Sequence, residues 1–274
     1  MQQMLIDVTK EPFAKLLHDT VLKPLGMKRS TYDQPLPEDW GDAAVPYDAK
    51  GEPLEGGAHT YPERAAAGLW TTPSDLARDA IAVQQTLAGK QHPVLTVAMA
   101  KQMVTPGMGH WGLGVEIGGS SEDPYFTHGG VNAGFQSVFV AYEKSGEGAV
   151  VMTDSDRGME VAEEVMRSIA AEYGWPDFKP VERTAVAVDP EILAEYVGTY
   201  HLEPGFDLVI TLENGQLMAQ ATGQMKIPLY AESDTKFFPT VIAADIDFSK
   251  DGQGKVTGLV LDQGGGNFSA AKTK

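Results

Sequence analysis

Cysteine is absent from the sequence, which excludes disulfide bonds, thiolate nucleophiles and cysteine-ligated zinc. Positive charge is scarce as well, because 21 lysine and arginine residues stand against 38 aspartate and glutamate residues, and the formal net charge is −17. No long basic run occurs. Nucleic acids and anionic membrane surfaces reward clustered Lys and Arg side chains, so the sequence predicts neither as a partner.

Long hydrophobic runs are also missing, and none reaches the ~18–20 residues needed to cross a bilayer. The first residues, Met1 to Asp7, lack both the basic start and the apolar core of a signal peptide. The sequence therefore predicts no membrane span. If the protein is expressed with this sequence, we expect it to stay in the cytoplasm. The absence of cysteine does not identify the compartment.

Patterns that bind metal ions are not found either. The six histidines show no spacing typical of zinc ligands. The segment Asp154 to Gly158 lacks the third acidic position and the distant glutamate of an EF-hand calcium loop. The sequence predicts no metal site and no cofactor.

The length of 274 residues is enough for one large domain or two of ordinary size. Thr72, Pro73 and Asp75 form a strong helix start, which predicts a helix over 73–87. Later in the chain, strand-sized segments are predicted at 112–117, 125–128, 136–142 and 148–153. A helix over 159–173 should lie across this antiparallel sheet.

Residues 189–274 predict a different kind of structure. About eight short strand-sized segments follow one another, and Asn214-Gly215 is a two-residue hairpin signal between two of them. Evenly spaced short strands favour a small antiparallel barrel. Residues 176–188 are acidic and poor in apolar side chains, which is typical of a linker. The predicted fold class is α+β, with domains 1–175 and 189–274 joined by this linker.

The segment from His128 to Phe135 reads HGGVNAGF and lies between two strand patterns. Its glycines suit a bulge or a place where another group approaches the backbone closely. A histidine at the head of such a strand can donate or accept a proton near neutral pH. On these residues alone, a hairpin with a surface histidine is the preferred interpretation.

Two further stretches change that interpretation. They are the segment from Phe13 to Thr31, with VLKPLGM at its centre, and the segment from Ala66 to Ala77, AAGLWTTPSDLA. Together with HGGVNAGF they resemble the penicillin-binding-protein-like serine hydrolases, the family of class C β-lactamases, family VIII esterases, D-amino-acid peptidases and CubicO-type proteins. The resemblance covers residues 1 to about 175 and implies a partial β-lactamase-like domain. The tail, with YVGTY at 196–200, looks like the lipocalin-like domain appended to some CubicO-type hydrolases.

The resemblance implies roles for six residues. His128 would take part in the proton relay, while Gly129 and Gly130 would present main-chain N–H groups to the substrate carbonyl. Donors aimed at an oxyanion are worth ~10²–10³ in rate. Asn132 and Gly134 would shape the turn of the strand. Trp111 would lie near the cleft in which the substrate binds.

The implied substrates are small-molecule amides, esters or D-amino-acid peptides, which pocket loops distinguish. Family members are often exported. Tyr47 and Tyr61, in the turn-rich passage 27–64, are interpreted as loop packing and Trp70 as core. Ser137 is not expected to be a nucleophile, because the sequence places neither a base nor a lysine beside it.

The family's nucleophile is a serine followed three residues later by a lysine, one helical turn away. In the hydrolase-like region, the residues three after Ser30, Ser74, Ser137, Ser145 and Ser168 are Asp33, Ala77, Val140, Gly148 and Ala171. The family's tyrosine element and first strands would precede residue 1, and the helical pattern starts without a cap, as if cut. We therefore expect the C-terminal portion of such a hydrolase, without the catalytic Ser, Lys and Tyr and not competent alone.

Three functions stay open. The chain could be a catalytic remnant, a hydrolase half complemented by a separate N-terminal chain, or a binding or regulatory protein whose barrel holds a small ligand. In the family, N-terminal strands pair beside the last strand, here 148–153. Without them this apolar strand is an unpaired edge, so we predict that self-association or a partner chain covers it.

Overall fold

Residues 1–179, 182–263 and 266–273 are described by the computed structural model. The chain divides into two units, Met1–Pro180 and Val181–Lys274. The first unit combines helices with a four-stranded antiparallel sheet, and the second contains a closed eight-stranded barrel. The predicted α+β class is therefore confirmed.

The first unit begins with helices. These are α1 (Gln2–Thr9), α2 (Phe13–Leu17), a π-helical turn (His18–Leu22), α3 (Lys23–Leu25), a 3-10 turn (Glu38–Trp40), α4 (Arg64–Ala67), α5 (Pro73–Leu87) and α6 (Val97–Met103). The start of α5 is the predicted one, because the Thr72 side chain accepts a hydrogen bond from the Asp75 N–H and Pro73 occupies the first turn.

The sheet of the first unit has the order β1-β2-β3-β4 and is followed by a long helix. The elements are β1 (Glu116–Gly119), β2 (Pro124–Asn132), β3 (Phe135–Tyr142), β4 (Gly148–Thr153) and α7 (Gly158–Tyr173). Helix α5 covers one face, where Val83 packs with Phe126 and Phe139. Helix α7 covers the other face, where Met166 packs with Val140. The sheet is thus a layer between two helices.

The strand predicted at 112–117 is observed only in its last two residues, since β1 begins at Glu116, and the prediction is wrong for residues 112–115. Gly114 has a φ of +80°, and the Gly112 N–H donates to the Val115 carbonyl, so these residues form a tight turn.

Strand β4 lies at the edge of the sheet. It pairs with β3 from Gln136↔Thr153 to Ala141↔Gly148, and no other strand of the described residues lies on its far side. The prediction of an edge at 148–153 is confirmed. Val150 and Val151 are half-buried.

The second unit consists of one short helix and eight strands. They are α8 (Pro190–Glu195), β5 (Gly198–Glu203), β6 (Phe206–Glu213), β7 (Gln216–Ala221), β8 (Ile227–Ala231), β9 (Lys236–Phe238), β10 (Ala244–Lys250), β11 (Val256–Gln263) and β12 (Gly266–Lys272). Asn214 and Gly215 have φ angles of 51° and 81°, which confirms the predicted hairpin between β6 and β7.

The barrel interior is filled by side chains. Tyr196 stacks on Phe248 with ring centroids 4.1 Å apart, and Tyr200 and Phe237 pack around the same ring. All four side chains are almost fully buried. Such packing favours a structural core over a ligand-binding cavity.

The segment predicted to be a linker, 176–188, includes residues 180 and 181, which lie outside the described residues. Its last part packs on the barrel, since the Val186 N–H donates to the Ala231 carbonyl and Arg183 pairs with Asp245. The domain boundaries at 175 and 189 stay a prediction.

Candidate active site

The outer edge of β2 is open next to its two glycines. Strand β1 pairs only with Pro124–Thr127, while β3 pairs with β2 along its whole length. Each strand directs alternate main-chain groups to its two sides. The N–H and C=O groups of residues 128–131 that point away from β3 therefore have no strand partner in the described part of the sheet.

The turn that follows β2 is fixed by the long loop before α5. The Asn132 side-chain amide donates to the Ala67 carbonyl, with an N–O distance of 2.9 Å. The Ala133 N–H donates to the Tyr61 hydroxyl at 3.0 Å. These hydrogen bonds join residues 65 and 72 positions apart, so the loop and the end of β2 hold each other in place.

Gly134 completes this turn in a conformation that other residues rarely adopt, with a φ of +73°. Its N–H donates to the Asp156 carboxylate at 2.6 Å. A Cβ at this position would lie 2.3 Å from the Pro46 Cβ and 3.0 Å from the Leu54 Cδ1. Glycine is thus required both by the backbone angle and by the close approach of the loop.

A cavity of about 700 Å³ opens beside the turn. On the sheet side it is lined by Gly129, Gly130, Val131, Asn132, Ala133, Phe135 and Ser137. From the loop and the start of α5 it is lined by, among others, Arg29, Trp40, His59, Tyr61, Trp70 and Thr71. Aromatic and small aliphatic groups with a few polar atoms are typical of a small-molecule site.

His128 and Trp111 lie beside this cavity rather than in its lining. The His128 side chain is exposed, and its ring meets the Trp111 ring edge to face at a centroid distance of 5.9 Å. Trp111 is 43% exposed. The structure thus brings Gly129, Gly130 and Asn132 to the cavity wall, with His128 as the next residue along the open edge.

A buried carboxylate anchors the loop side of the cavity. Asp75, with its side chain 3% exposed, accepts hydrogen bonds from the Arg29 N–H at 2.7 Å and from the Ser30 hydroxyl at 2.9 Å. The Ser30 and Thr71 hydroxyls are 2.7 Å apart, and the Arg78 guanidinium pairs with the other Asp75 oxygen. This network fixes the backbone from which Arg29 and Thr71 line the cavity.

Ser137 is the serine in the cavity wall. It pairs with Gly130 across the two strands, and a Cβ on Gly130 would lie 2.8 Å from the Ser137 hydroxyl oxygen. An activated serine needs a base at about 2.6–3.2 Å. The hydrogen bonds of the described residues join Ser137 to neither His128 nor any lysine, so Ser137 has no activating partner.

Two Ser-x-x-Lys sequences occur outside the hydrolase-like region, so the absence of this motif holds for residues 1–175 and not for the whole chain. Ser233 lies in a bend, where its hydroxyl accepts from the Lys236 N–H, and the Lys236 amine pairs with Glu232. Ser269 and Lys272 lie in strand β12, where residues three apart point to opposite faces. Neither pair sits on a helical turn.

Among residues 1–179, 182–263 and 266–273, no group of three or more His, Asp or Glu side chains is placed to hold a metal ion. In the same residues, every helix falls short of the length and apolar character that a membrane crossing requires.

Comparison with known sequences identifies the family. Residues 1–172 match the family described as Beta-lactamase, and residues 182–271 match a domain of unknown function, DUF3471. The first match covers more than half of the chain. The chain therefore belongs to the β-lactamase family.

Individual relatives agree with this assignment. Penicillin-binding protein 4* of Bacillus subtilis (strain 168) is 23% identical over 153 residues, which are 54% of this chain and 34% of that protein. The crystal structure of SurE aligns with a TM-score of 0.55 at 20% identity, covering 98% of this chain and 65% of SurE. An octameric penicillin-binding protein homologue from Pyrococcus abyssi aligns with a TM-score of 0.53 at 16% identity, covering 99% of this chain and 62% of that one.

These similarities establish the penicillin-binding-protein-like fold. The chain spans about a third of the length of the curated relative and less than two thirds of these solved structures.

Several residues of the site were missed from sequence. Trp70, interpreted as core, lines the cavity and meets Phe135 edge to face at 5.7 Å. Tyr61, interpreted as loop packing, lines the cavity as well as holding the turn. The signal for Tyr61 was the length of the loop, since long loops in a compact domain are often functional.

Proposed function

We propose that the first unit forms the carbonyl-binding wall of a serine hydrolase site that acts on amides or esters. Hydrolysis would need a Ser-x-x-Lys nucleophile and a tyrosine element that residues 1–175 do not contain. The observation that carries the proposal is the open edge of β2 at residues 128–131, next to a cavity large enough for a small substrate.

The chemistry of this edge suits a carbonyl group. Gly129 and Gly130 carry no side chains, so a substrate can approach their main-chain groups closely. An N–H donor aimed at the developing oxyanion is worth ~10²–10³ in rate. His128, exposed at the head of the glycines, is the candidate for proton transfer, because an imidazole ring can both donate and accept a proton.

Without a nucleophile these groups support little turnover. A site that keeps only its oxyanion donors and its binding contacts retains weak residual catalysis. Ser137 has no activating partner in the described residues, as its geometry above indicates. We therefore expect substrate binding by the isolated chain without covalent acylation.

A labelling experiment tests this expectation. The purified chain would be treated with a fluorophosphonate and assayed with p-nitrophenyl acetate and a chromogenic cephalosporin, with Ser137→Ala as the matched variant. We expect no labelled serine and no turnover above the variant. A single serine labelled in stoichiometric yield would refute the proposal, and loss of that label in Ser137→Ala would assign the nucleophile to Ser137.

A second candidate function is that of one half of a complemented hydrolase, and the open edge of β4 favours it. An apolar strand with helices on both faces and no strand on its far side is suited to pair with another polypeptide. The octameric homologue from Pyrococcus abyssi provides a precedent for self-association in this fold.

Sedimentation and hydrogen exchange test the association. We expect the chain, or its complex with a co-purifying polypeptide, to sediment as an assembly in which the amides of 148–153 are protected. A monomer at every concentration, with those amides exchanging as freely as an exposed loop, would contradict pairing at this edge.

A further inference from the structure

Tyr61 connects the long loop before α5 to the turn at the end of β2, and both ends of the residue are fixed. Its main-chain N–H donates to the Gln34 side-chain oxygen at 2.6 Å. Its hydroxyl oxygen accepts from the Ala133 N–H at 3.0 Å. The residue is half-buried and lines the cavity between these two contacts. The hydroxyl is thus held at a defined place in the cavity wall.

The Tyr61 hydroxyl has one unused hydrogen-bonding capacity. A phenol group donates one hydrogen bond and also accepts. The contact with Ala133 uses it as an acceptor, and the hydrogen bonds within residues 1–179, 182–263 and 266–273 give its hydrogen no acceptor. The O–H group is therefore a fixed donor that is available to a molecule in the cavity.

This donor lies beyond the end of the open edge of β2. Ala133, which contacts the hydroxyl, follows Gly130 by three residues, so the two are at most about 10 Å apart along the chain. A small molecule whose carbonyl lies at Gly129 and Gly130 can therefore place a second oxygen at Tyr61. The cavity of about 700 Å³ has room for such a molecule.

We propose that Tyr61 is a substrate-binding residue, whose hydroxyl donates to a second oxygen acceptor of the amide or ester. This inference rests on the proposed function, which places the first carbonyl at Gly129 and Gly130. It narrows the substrate class to molecules that carry another acceptor oxygen within about 10 Å of the first. A site that hydrogen-bonds such a group discriminates against the analogue that lacks it.

Two amides that differ in one acceptor test the proposal. Phenylacetylglycinamide carries two carbonyl groups, and N-ethyl-2-phenylacetamide has a methyl group in place of the second carboxamide. The net contribution of one hydrogen bond changes a dissociation constant roughly two- to tenfold. We expect the full chain to bind phenylacetylglycinamide more tightly by this factor, measured by ligand-detected NMR.

Variants of the full chain assign this preference to the hydroxyl. Tyr61→Phe keeps the ring and removes the hydroxyl, so it should reduce the preference to near parity. The variant also loses the hydrogen bond to Ala133, but a looser turn weakens both amides alike because they share the phenylacetamide portion. Asp156→Ala is the matched control, since it removes the carboxylate that accepts from the Gly134 N–H in the same turn. It should preserve the preference, and Asp156→Asn replaces it if the alanine variant does not fold.

The possible outcomes separate this inference from the proposed function. A preference that survives in Tyr61→Phe, or that the Asp156 variant removes as well, overturns the assignment to the hydroxyl. Equal binding of the two amides by the unaltered chain overturns the role of Tyr61 and leaves the carbonyl-binding wall in place. If neither amide binds at about 10 mM, the proposed function fails and this inference fails with it.

Discussion

Gly134 allows a single methyl group to test the geometry of the turn beside the cavity. Its φ of +73° lies in the left-handed region, which costs an L-residue about 1–2 kcal/mol. The Cβ of an alanine would also lie 2.3 Å from the Pro46 Cβ and 2.9 Å from the Pro46 Cα. Overpacking of this kind costs typically ~1–3 kcal/mol. We therefore expect Gly134→Ala to lower the free energy of unfolding by about 2–5 kcal/mol.

Gly146 provides a matched control. It has a φ of +76°, and nothing lies within 4 Å of the position a Cβ would take. Gly146→Ala should therefore cost only the conformational part, about 1–2 kcal/mol. The difference between the two variants isolates the contact between the turn and the Pro46 segment.

Tryptophan fluorescence during urea unfolding is a suitable assay, because all four tryptophans belong to the first unit. The midpoint and slope give the free energy of unfolding for each variant. If Gly134→Ala and Gly146→Ala are equally destabilising, then Pro46 does not approach Gly134 as closely as the structure describes. That result would also remove the argument that the loop fixes this wall of the cavity.

Two further substitutions address the network behind the cavity and the barrel. Asp75→Asn should cost about 1–3 kcal/mol in the same urea assay, because the new amide NH₂ faces a donor whether it points to the Arg29 N–H or to the Arg78 guanidinium; an unchanged midpoint would contradict the network. The hydrogen bond from Arg183 lowers the pKa of Asp245, so this pair stabilises the barrel above the ordinary carboxyl pKa and loses its effect as the pH falls through the lowered value. Asp245→Asn should accordingly speed hydrogen exchange in β10 at pH 7 and have little effect in strong acid, and the opposite pH dependence would contradict the assignment.

The elements that could be predicted are those with local signals. Thr72 and Pro73 define the start of α5 through a side-chain cap and a fixed φ, both of which depend on neighbouring residues only. Asn214-Gly215 likewise carries its own turn geometry. The strand edge at β4 was predictable for another reason, since the family resemblance supplied the order of the strands.

The site walls could not be predicted in the same way. The hydrogen bond from Ala133 to Tyr61 joins residues 72 positions apart, and no local pattern encodes it. The approach of Pro46 to Gly134 depends on the path of a long loop without regular structure. Residues 112–115 were predicted as part of a strand, but the φ of +80° at Gly114 makes them a tight turn. Glycine occurs in both kinds of structure, so the residue type alone does not distinguish them.

The two open edges of the sheet differ in ways that suit different partners. The edge of β2 at residues 128–131 is short, carries two glycines and lies next to a cavity with polar groups, which suits a small ligand. The side chains of β4 pack against a helix on each face, and the N–H and C=O groups on its outer edge have no strand partner among the described residues, which suits pairing with another polypeptide.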